Sequence, residues 1–388
     1  MKVVYIADIG IEGGATKSLI ELVSTMKNEH GVEPIVLTSG NDRLNESLSA
    51  LGIENHSVGH GAFLQGAPDS MWKKPIKWLL YAAYYYLHYY SSIRKAIKVV
   101  DWKSVDLVHT NVARDDLGME LSKRTGVPNI CHIREFAELD FNCWSYRPHY
   151  VKYLAENTDG FIALSDAVKE YWIKKGIPKD KIKVIYNGVD YQKIQRADHS
   201  RWKTDETIKM VIVGGVIPNK GQYQAIEALC MLPKELQPHF TLDVIGGITE
   251  TYKSKLKEPL KKCGIENQVR FLGACNDVYD RLKDYHVGLM CSKAEGFGRV
   301  TVEYMHAGLV VIASDCGANP ELIQDKQTGL LYNRESVKLL ADSMAYLWEH
   351  KEEMGNLADK GQEETKKYTK QKNAYEIYKE YGRFMEKR

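Results

Sequence analysis

Along the whole of this chain, short β-branched and apolar runs alternate with stretches whose apolar residues recur at helical spacing. Val3 to Ala7 is the first run, and Pro34-Ile35-Val36-Leu37-Thr38 and Val105-Asp106-Leu107-Val108-His109 follow. Ile130-Cys131-His132, Phe161-Ile162-Ala163-Leu164-Ser165 and Val184-Ile185-Tyr186-Asn187-Gly188 continue the series. Such alternation predicts an α/β chain built on an open, mostly parallel, doubly wound sheet with helices on both faces. In that arrangement ligands lie beyond the carboxyl ends of the strands.

The pattern is interrupted once, over residues 191 to 208, where Arg196, Asp198, His199, Ser200, Arg201, Lys203 and Asp205 show no periodicity. It then restarts with Lys209-Met210-Val211-Ile212-Val213, and Thr241 to Gly247 and Val269 to Gly273 are further strands ending in glycine. A chain of 388 residues is long enough for two domains of about 180 to 200 residues each. The expected division is residues 1–190, a linker at 191–208, and a second Rossmann-like domain at 209–365. A charged helix at about 366–388, with Tyr375, Ile377, Tyr378 and Tyr381, is expected to pack back on the first domain.

Composition narrows the function classes. A net charge of +2 gives no global nucleic-acid footprint. The seven cysteines are scattered, odd in number and without a C-x-x-C pair, which favours reduced thiols in the cytosol over disulfides or a zinc site. Met1 to Ala7 reads as a strand, not a signal peptide, and no stretch of 18 apolar residues occurs.

Chemistry concentrates at Glu295-Gly296-Phe297-Gly298-Arg299-Val300-Thr301-Val302-Glu303. The short apolar run Tyr285 to Cys291 precedes it, and Gly308 and the run Leu309 to Ala313 follow, so the segment is the loop and helix of one parallel βαβ unit. Gly298 and Arg299 are the expected first helical residues. Glu295 then sits on the loop and Glu303 about one turn into the helix, both able to point into one crevice. The N–H groups of Gly298, Arg299 and Val300 would form an anion site at the positive end of the helix dipole. A phosphate there, with carboxylates accepting hydrogen bonds from hydroxyls, describes a nucleotide sugar; a surface loop with two solvated glutamates has the same spacing. The early Gly13-Gly14 loop fits a ligand-approach turn, or simply a turn of the chain.

Residues 71 to 100 stand apart. Ile76, Leu79, Leu80, Ala83 and Leu87 recur at helical spacing among Trp72, Trp78, Tyr81, Tyr84, Tyr85, Tyr86, His88, Tyr89 and Tyr90. Lys73, Lys74, Lys77, Arg94, Lys95 and Lys98 meet no acidic residue in this window. A basic, aromatic, amphipathic helix suits a membrane interface, and equally an aromatic face packed on the first domain with solvated lysines.

Taken together, these residues resemble a retaining glycosyltransferase of family 4, with the GT-B architecture of two facing Rossmann-like domains and a cleft between them. The resemblance rests on the two glutamates Glu295 and Glu303, on Val213-Gly214-Gly215-Val216-Ile217-Pro218-Asn219-Lys220-Gly221, on Tyr186-Asn187-Gly188-Val189-Asp190, and on Gly13-Gly14. It covers nearly the whole chain, and Gly298 to Glu303 looks like enzymes of bacterial capsule and exopolysaccharide synthesis. The resemblance implies that Lys220 and the N–H groups of Gly298, Arg299 and Val300 hold the donor diphosphate. Glu303 would take the ribose hydroxyls and Glu295 the transferred sugar, while Gly14 allows close approach of the first helix. His132 would contact the sugar, with His109 a weaker candidate; His132 also reads as a histidine satisfied at a domain edge. Where the family usually carries arginine this chain has Gly215, and Arg299 is the expected replacement.

The implied reaction moves a hexose from a nucleotide diphosphate sugar, a UDP-sugar by resemblance, to a hydroxyl of a glycan or lipid-linked acceptor, with retention. The chain contains no D-x-D pair, so neither a metal nor another cofactor is expected. The expected location is cytoplasmic, with residues 71–100 at the inner membrane face. Two other readings suit the same residues: a nucleotide-sugar epimerase of like architecture, and a non-catalytic nucleotide-sugar-binding subunit.

Overall fold

The computed structural model describes all residues except 8–12, 41, 67–73, 142 and 387–388. Gly10 to Glu12 of the first glycine loop, together with Trp72 and Lys73, therefore lie outside the described residues, as do the side chains of Lys74 and Lys77. The chain forms two compact units, Met1–Gly188 with Lys370–Arg388, and Val189–Thr369.

The first unit is built on a seven-stranded, wholly parallel sheet. Across it run Glu54–Ser57, Glu33–Thr38, Lys2–Ile6, Leu107–Thr110, Asn129–Ile133, Gly160–Ala163 and Ile182–Val184. Its central strands are buried on both faces, as parallel strands between helix layers must be, with Val3, Val4, Tyr5 and Ile6 fully inaccessible. On one face the first helix, Gly14–His30, packs through Leu19, Leu22 and Met26 against Ala374, Ile377 and Tyr381 of the last helix, Lys370–Met385.

The second unit carries six parallel strands in the order Val269–Gly273, Phe240–Ile245, Ile208–Val213, Val287–Met290, Val310–Ser314 and Leu330–Tyr332. Strand order reverses at Ile208–Val213, so a crevice opens at the carboxyl ends of that strand and its neighbour Val287–Met290.

Residues 191–208 do not form the expected linker. Ala197 N donates to Ala307 O at 2.8 Å, the His199 ring bonds Gly308 O at 2.7 Å, and Trp202 is buried. The stretch is therefore a built part of the second unit, held by backbone partners a hundred residues away that leave no local periodicity.

The Lys74–Val99 helix presents two apolar stripes. Ala82, Tyr85, Ile93 and Ala96 are buried, Tyr85 donating to Asp116 Oδ2 at 2.6 Å, and Arg147 bridges Asp116 to Tyr89. Ile76, Leu79, Leu80, Tyr84, Leu87 and Tyr90, at the same spacing on another face, are exposed, Leu87 to 76%. No described helix is long and apolar enough to cross a membrane. All seven cysteines are free thiols.

Candidate active site

In the second unit the site grows from the end of the Ile208–Val213 strand. Gly214 continues it with φ +141°, and a Pro218–Lys220 turn of 3-10 helix is closed by Gly221 at φ +74°. A Cβ on Gly221 would fall 2.0 Å from Cys291 O, so this turn is pressed directly onto the end of the neighbouring strand. Lys293 N, donating to Asn219 O at 2.9 Å, ties the two loops together. That close approach carries Lys220 to Glu295, Nζ to Oε2 2.9 Å, with the lysine side chain 37% exposed.

Glu295 is fixed through its backbone. Ala318 N donates to Glu295 O at 2.9 Å, and Gly317, at φ +59°, has room only for hydrogen where a Cβ would lie 2.3 Å from that oxygen. The helix that follows runs Arg299–His306 with Gly298 as its N-cap at φ +82°. No side chain caps it, and the positive end of its dipole suits an anion. Thr301 Oγ1 reaches Asn319 Oδ1 at 3.2 Å, and Asn319 Nδ2 donates to Ser314 O at 3.0 Å, so the buried side of the helix end is locked to the Val310–Ser314 strand.

Glu303 is buried one turn in, where Tyr279 OH donates to Oε1 at 2.7 Å and Arg299 Nε at 3.1 Å. Two donors orientate this buried carboxylate, and one of them is a cation placed directly against it. Arg299 thus carries its charge against Glu303, with its side chain 11% exposed. A Cβ on Gly215 would meet no described atom within 4 Å. The fold's own packing does not demand glycine there.

Lys220, Glu295, Gly298, Arg299, Val300 and Glu303 are thus carried by two loops and one helix of a single unit, whereas Gly14 and His132 belong to the first unit. Gly14 opens the first helix, and a Cβ on Gly13 or Gly14 would meet no described atom within 4 Å. His132, on the Asn129–Ile133 strand, is fully buried. Arg134 NH2 lies 3.2 Å from its Nδ1, and the His109 ring is 5.4 Å away. An arginine can only donate, so Nδ1 accepts and Nε2 bears the hydrogen; Nε2 has no partner among the described residues. Burial, and then the charge of Arg134, push this imidazole well below 6.5, and burial lowers His109 to about 3. Both rings are neutral. His109 Nδ1 is 2.5 Å from Tyr381 OH, a structural partner.

Sequence reasoning missed Tyr279, Arg134 and Asn319. Tyr279 lies 24 residues before Glu303, with no local pattern to link them. Arg134 was findable, because it stands two residues beyond His132 and so on the same side of the strand direction.

Residues 194–364 match the family described as glycosyl transferases group 1, and residues 12–193 match glycosyltransferase family 4. The chain is a glycosyltransferase whose two halves match these two families. Its two Rossmann-like domains are those of the GT-B architecture. Among relatives, an uncharacterized glycosyltransferase of Methanocaldococcus jannaschii is 24% identical over 73% of this chain and 77% of its own length. The capsular polysaccharide biosynthesis glycosyltransferase CapH of Staphylococcus aureus is 25% identical over 59% of this chain and 65% of itself. A GDP-mannose-dependent phosphatidylinositol monomannoside mannosyltransferase of Mycobacterium tuberculosis is 26% identical over 53% and 57%. The chain thus spans under two thirds of the latter two. In fold it is similar to Anabaena HepE, solved with UDP and glucose, with a TM-score of 0.78 at 20% identity over 98% of this chain and 99% of that one.

Proposed function

We propose that this glycosyltransferase moves a hexose from a UDP-sugar to a hydroxyl of a lipid-linked glycan in bacterial surface polysaccharide synthesis, with retention and without a metal. The observation that supports it best is the placement of Lys220 beside Glu295 on loops next to an uncapped helix end, with Glu303 orientated deeper in. A donor diphosphate takes the N–H groups of Gly298, Arg299 and Val300 and draws Lys220 from Glu295. Glu295 is thereby released to accept from sugar hydroxyls, and Glu303 from the ribose.

As the donor bond breaks, negative charge grows on the departing diphosphate, where the helix end and the Lys220 ammonium stabilise it most. The mannosyltransferase relative favours a second donor, GDP-mannose. The discriminating measurement is thermal stabilisation by UDP, UDP-sugars, GDP and GDP-mannose, with and without EDTA. Saturating UDP at 100 times Kd is expected to stabilise by about 2.7 kcal/mol, roughly 5–11 °C. EDTA should leave the rise unchanged and Glu303→Ala should abolish it. A response to guanosine nucleotides alone overturns the UDP reading, and no response to any of them removes the donor site.

The exposed stripe of the Lys74–Val99 helix supports a resting place on the inner face of the cytoplasmic membrane. A helix apolar on two faces has one stripe more than a single packing partner can cover, and Arg94, Lys95 and Lys98 lie on its exposed end. Burying Leu79 and Leu87 in the headgroup region is worth about 1.5–3 kcal/mol each. Leu79→Asp with Leu87→Asp is therefore expected to lower cosedimentation with phosphatidylglycerol-containing vesicles more than tenfold, as judged by the lipid concentration for half-binding. Unchanged binding sinks the membrane assignment.

A further inference from the structure

The first unit holds a cavity of about 650 Å³ on the inner flank of the Lys74–Val99 helix. Leu80, Tyr81, Tyr84, His88, Ser91 and Lys95 of the helix form one wall. The turn from Val58 to Ala62 faces them, and Ser39 follows the end of the adjacent strand. The cavity therefore sits beyond the carboxyl ends of the strands Glu33–Thr38 and Glu54–Ser57, the end at which sheets of this type bind ligands. Its walls are held. Ser92 Oγ bonds Gly59 O at 2.9 Å, tying turn to helix, and the Tyr84 and His88 rings stack at 3.9 Å.

Two properties define an occupant. The lining is graded along the helix: Leu80, Tyr81 and Tyr84 at one end are continuous with the exposed stripe of Leu79 and Leu87, while Ser91 and Lys95 stand at the other. Fifteen residues separate Leu80 from Lys95, about 22 Å at 1.5 Å per residue. Among the described residues no carboxylate lines the cavity, whereas Lys95 does, with His88 beside it and His60 turned to the buried Asp115 at 2.5 Å. An extended apolar chain ending in an anion matches both.

We propose that this cavity binds a lipid phosphate, with the chain along Leu80, Tyr81 and Tyr84 and the phosphate at Lys95, and that it is where the lipid-linked acceptor is held. The proposal rests on the transferase reading above for the word acceptor, and on the cavity alone for the ligand class. A phosphate at Lys95 takes an ammonium and the Ser91 hydroxyl as donors, and the apolar tail leaves through the stripe that meets the membrane.

The test titrates the full chain by calorimetry with dodecyl phosphate, below its micelle-forming concentration, beside inorganic phosphate and the uncharged dodecyl maltoside. One dodecyl phosphate per chain is expected, at least tenfold tighter than either control. Lys95→Glu should weaken it tenfold or more, and Lys98→Glu, on the same helix but outside the cavity, less than twofold. Both lysines are exposed, so either variant should keep the unfolding midpoint of the parent. Equal losses in the two variants, several molecules bound per chain, or inorganic phosphate binding as tightly would each overturn the assignment. Saturable dodecyl phosphate binding without any nucleotide response would keep the cavity as a lipid-phosphate site and remove the transferase reading instead.

Discussion

Lys220→Ala is expected to lower kcat about a hundred- to a thousandfold, the loss seen when one preorganised donor to developing charge is removed. The reasoning is electrostatic. In the free protein the ammonium lies 2.9 Å from Glu295 Oε2, at a site open enough that the pair contributes little to stability. In the transition state the same ammonium faces a diphosphate whose charge is rising, and its stabilising effect increases with that charge. The mutation therefore acts on kcat more than on the unfolding midpoint, which should move by less than about 1 kcal/mol equivalent. Arg299→Ala should behave differently. Because Arg299 Nε donates to Glu303, its loss removes the cation placed against a buried carboxylate, so donor affinity and stability fall together. Steady-state kinetics with a soluble acceptor analogue, alongside thermal unfolding, separate the two cases. A Lys220→Ala enzyme retaining more than a tenth of parental kcat would show that the diphosphate is neutralised elsewhere, and a purely kinetic Arg299→Ala effect would support the idea that Arg299 compensates for glycine at position 215.

How much of this was legible depended on the range over which each signal acts. The strands were visible because parallel strands buried on both faces are apolar without alternation, as Leu309 to Ala313 illustrates within the observed Val310–Ser314 strand. The start of the site helix was visible for a local reason, since Gly298 with positive φ is a position that few other residues fill. What the sequence hid was distant. The stretch 191–208 looked like a linker because its order comes from the carbonyls of Ala307 and Gly308. Glu303 looked like half of a carboxylate pair, and its attachment to Tyr279 and Arg299 only emerges once two elements meet. Of the two readings the aromatic helix offered, the packed one is visible: one face packs on the first unit, through Tyr85 and Ile93, while the other is exposed. Periodicity showed that there were two faces and not which partner each one has.

Gly221→Ala is expected to destabilise the second unit strongly. Two costs coincide there. A left-handed φ of +74° disfavours alanine by about 1–2 kcal/mol. The new Cβ would also lie 2.0 Å from Cys291 O, 2.6 Å from Cys291 Cβ and 2.7 Å from its carbonyl carbon, and overpacking against a fixed core costs about 1–3 kcal/mol. A backbone carbonyl on the end of a central strand cannot swing aside as a side-chain tip would, so the Pro218–Lys220 turn must rise away from the strand. Together the two effects amount to about 3 kcal/mol, a fall of roughly 6–12 °C in the unfolding midpoint of a unit this size. Gly215→Ala, six residues earlier, provides the contrast, because its Cβ would enter open space; it should stay within about 1 kcal/mol of the parent. The displacement of the turn also carries Lys220 off Glu295, so Gly221→Ala protein assayed well below its lowered midpoint should still lose nucleotide-induced stabilisation. Normal nucleotide response in a folded Gly221→Ala protein would mean that Lys220 does not need the close contact between the two loops to reach its position.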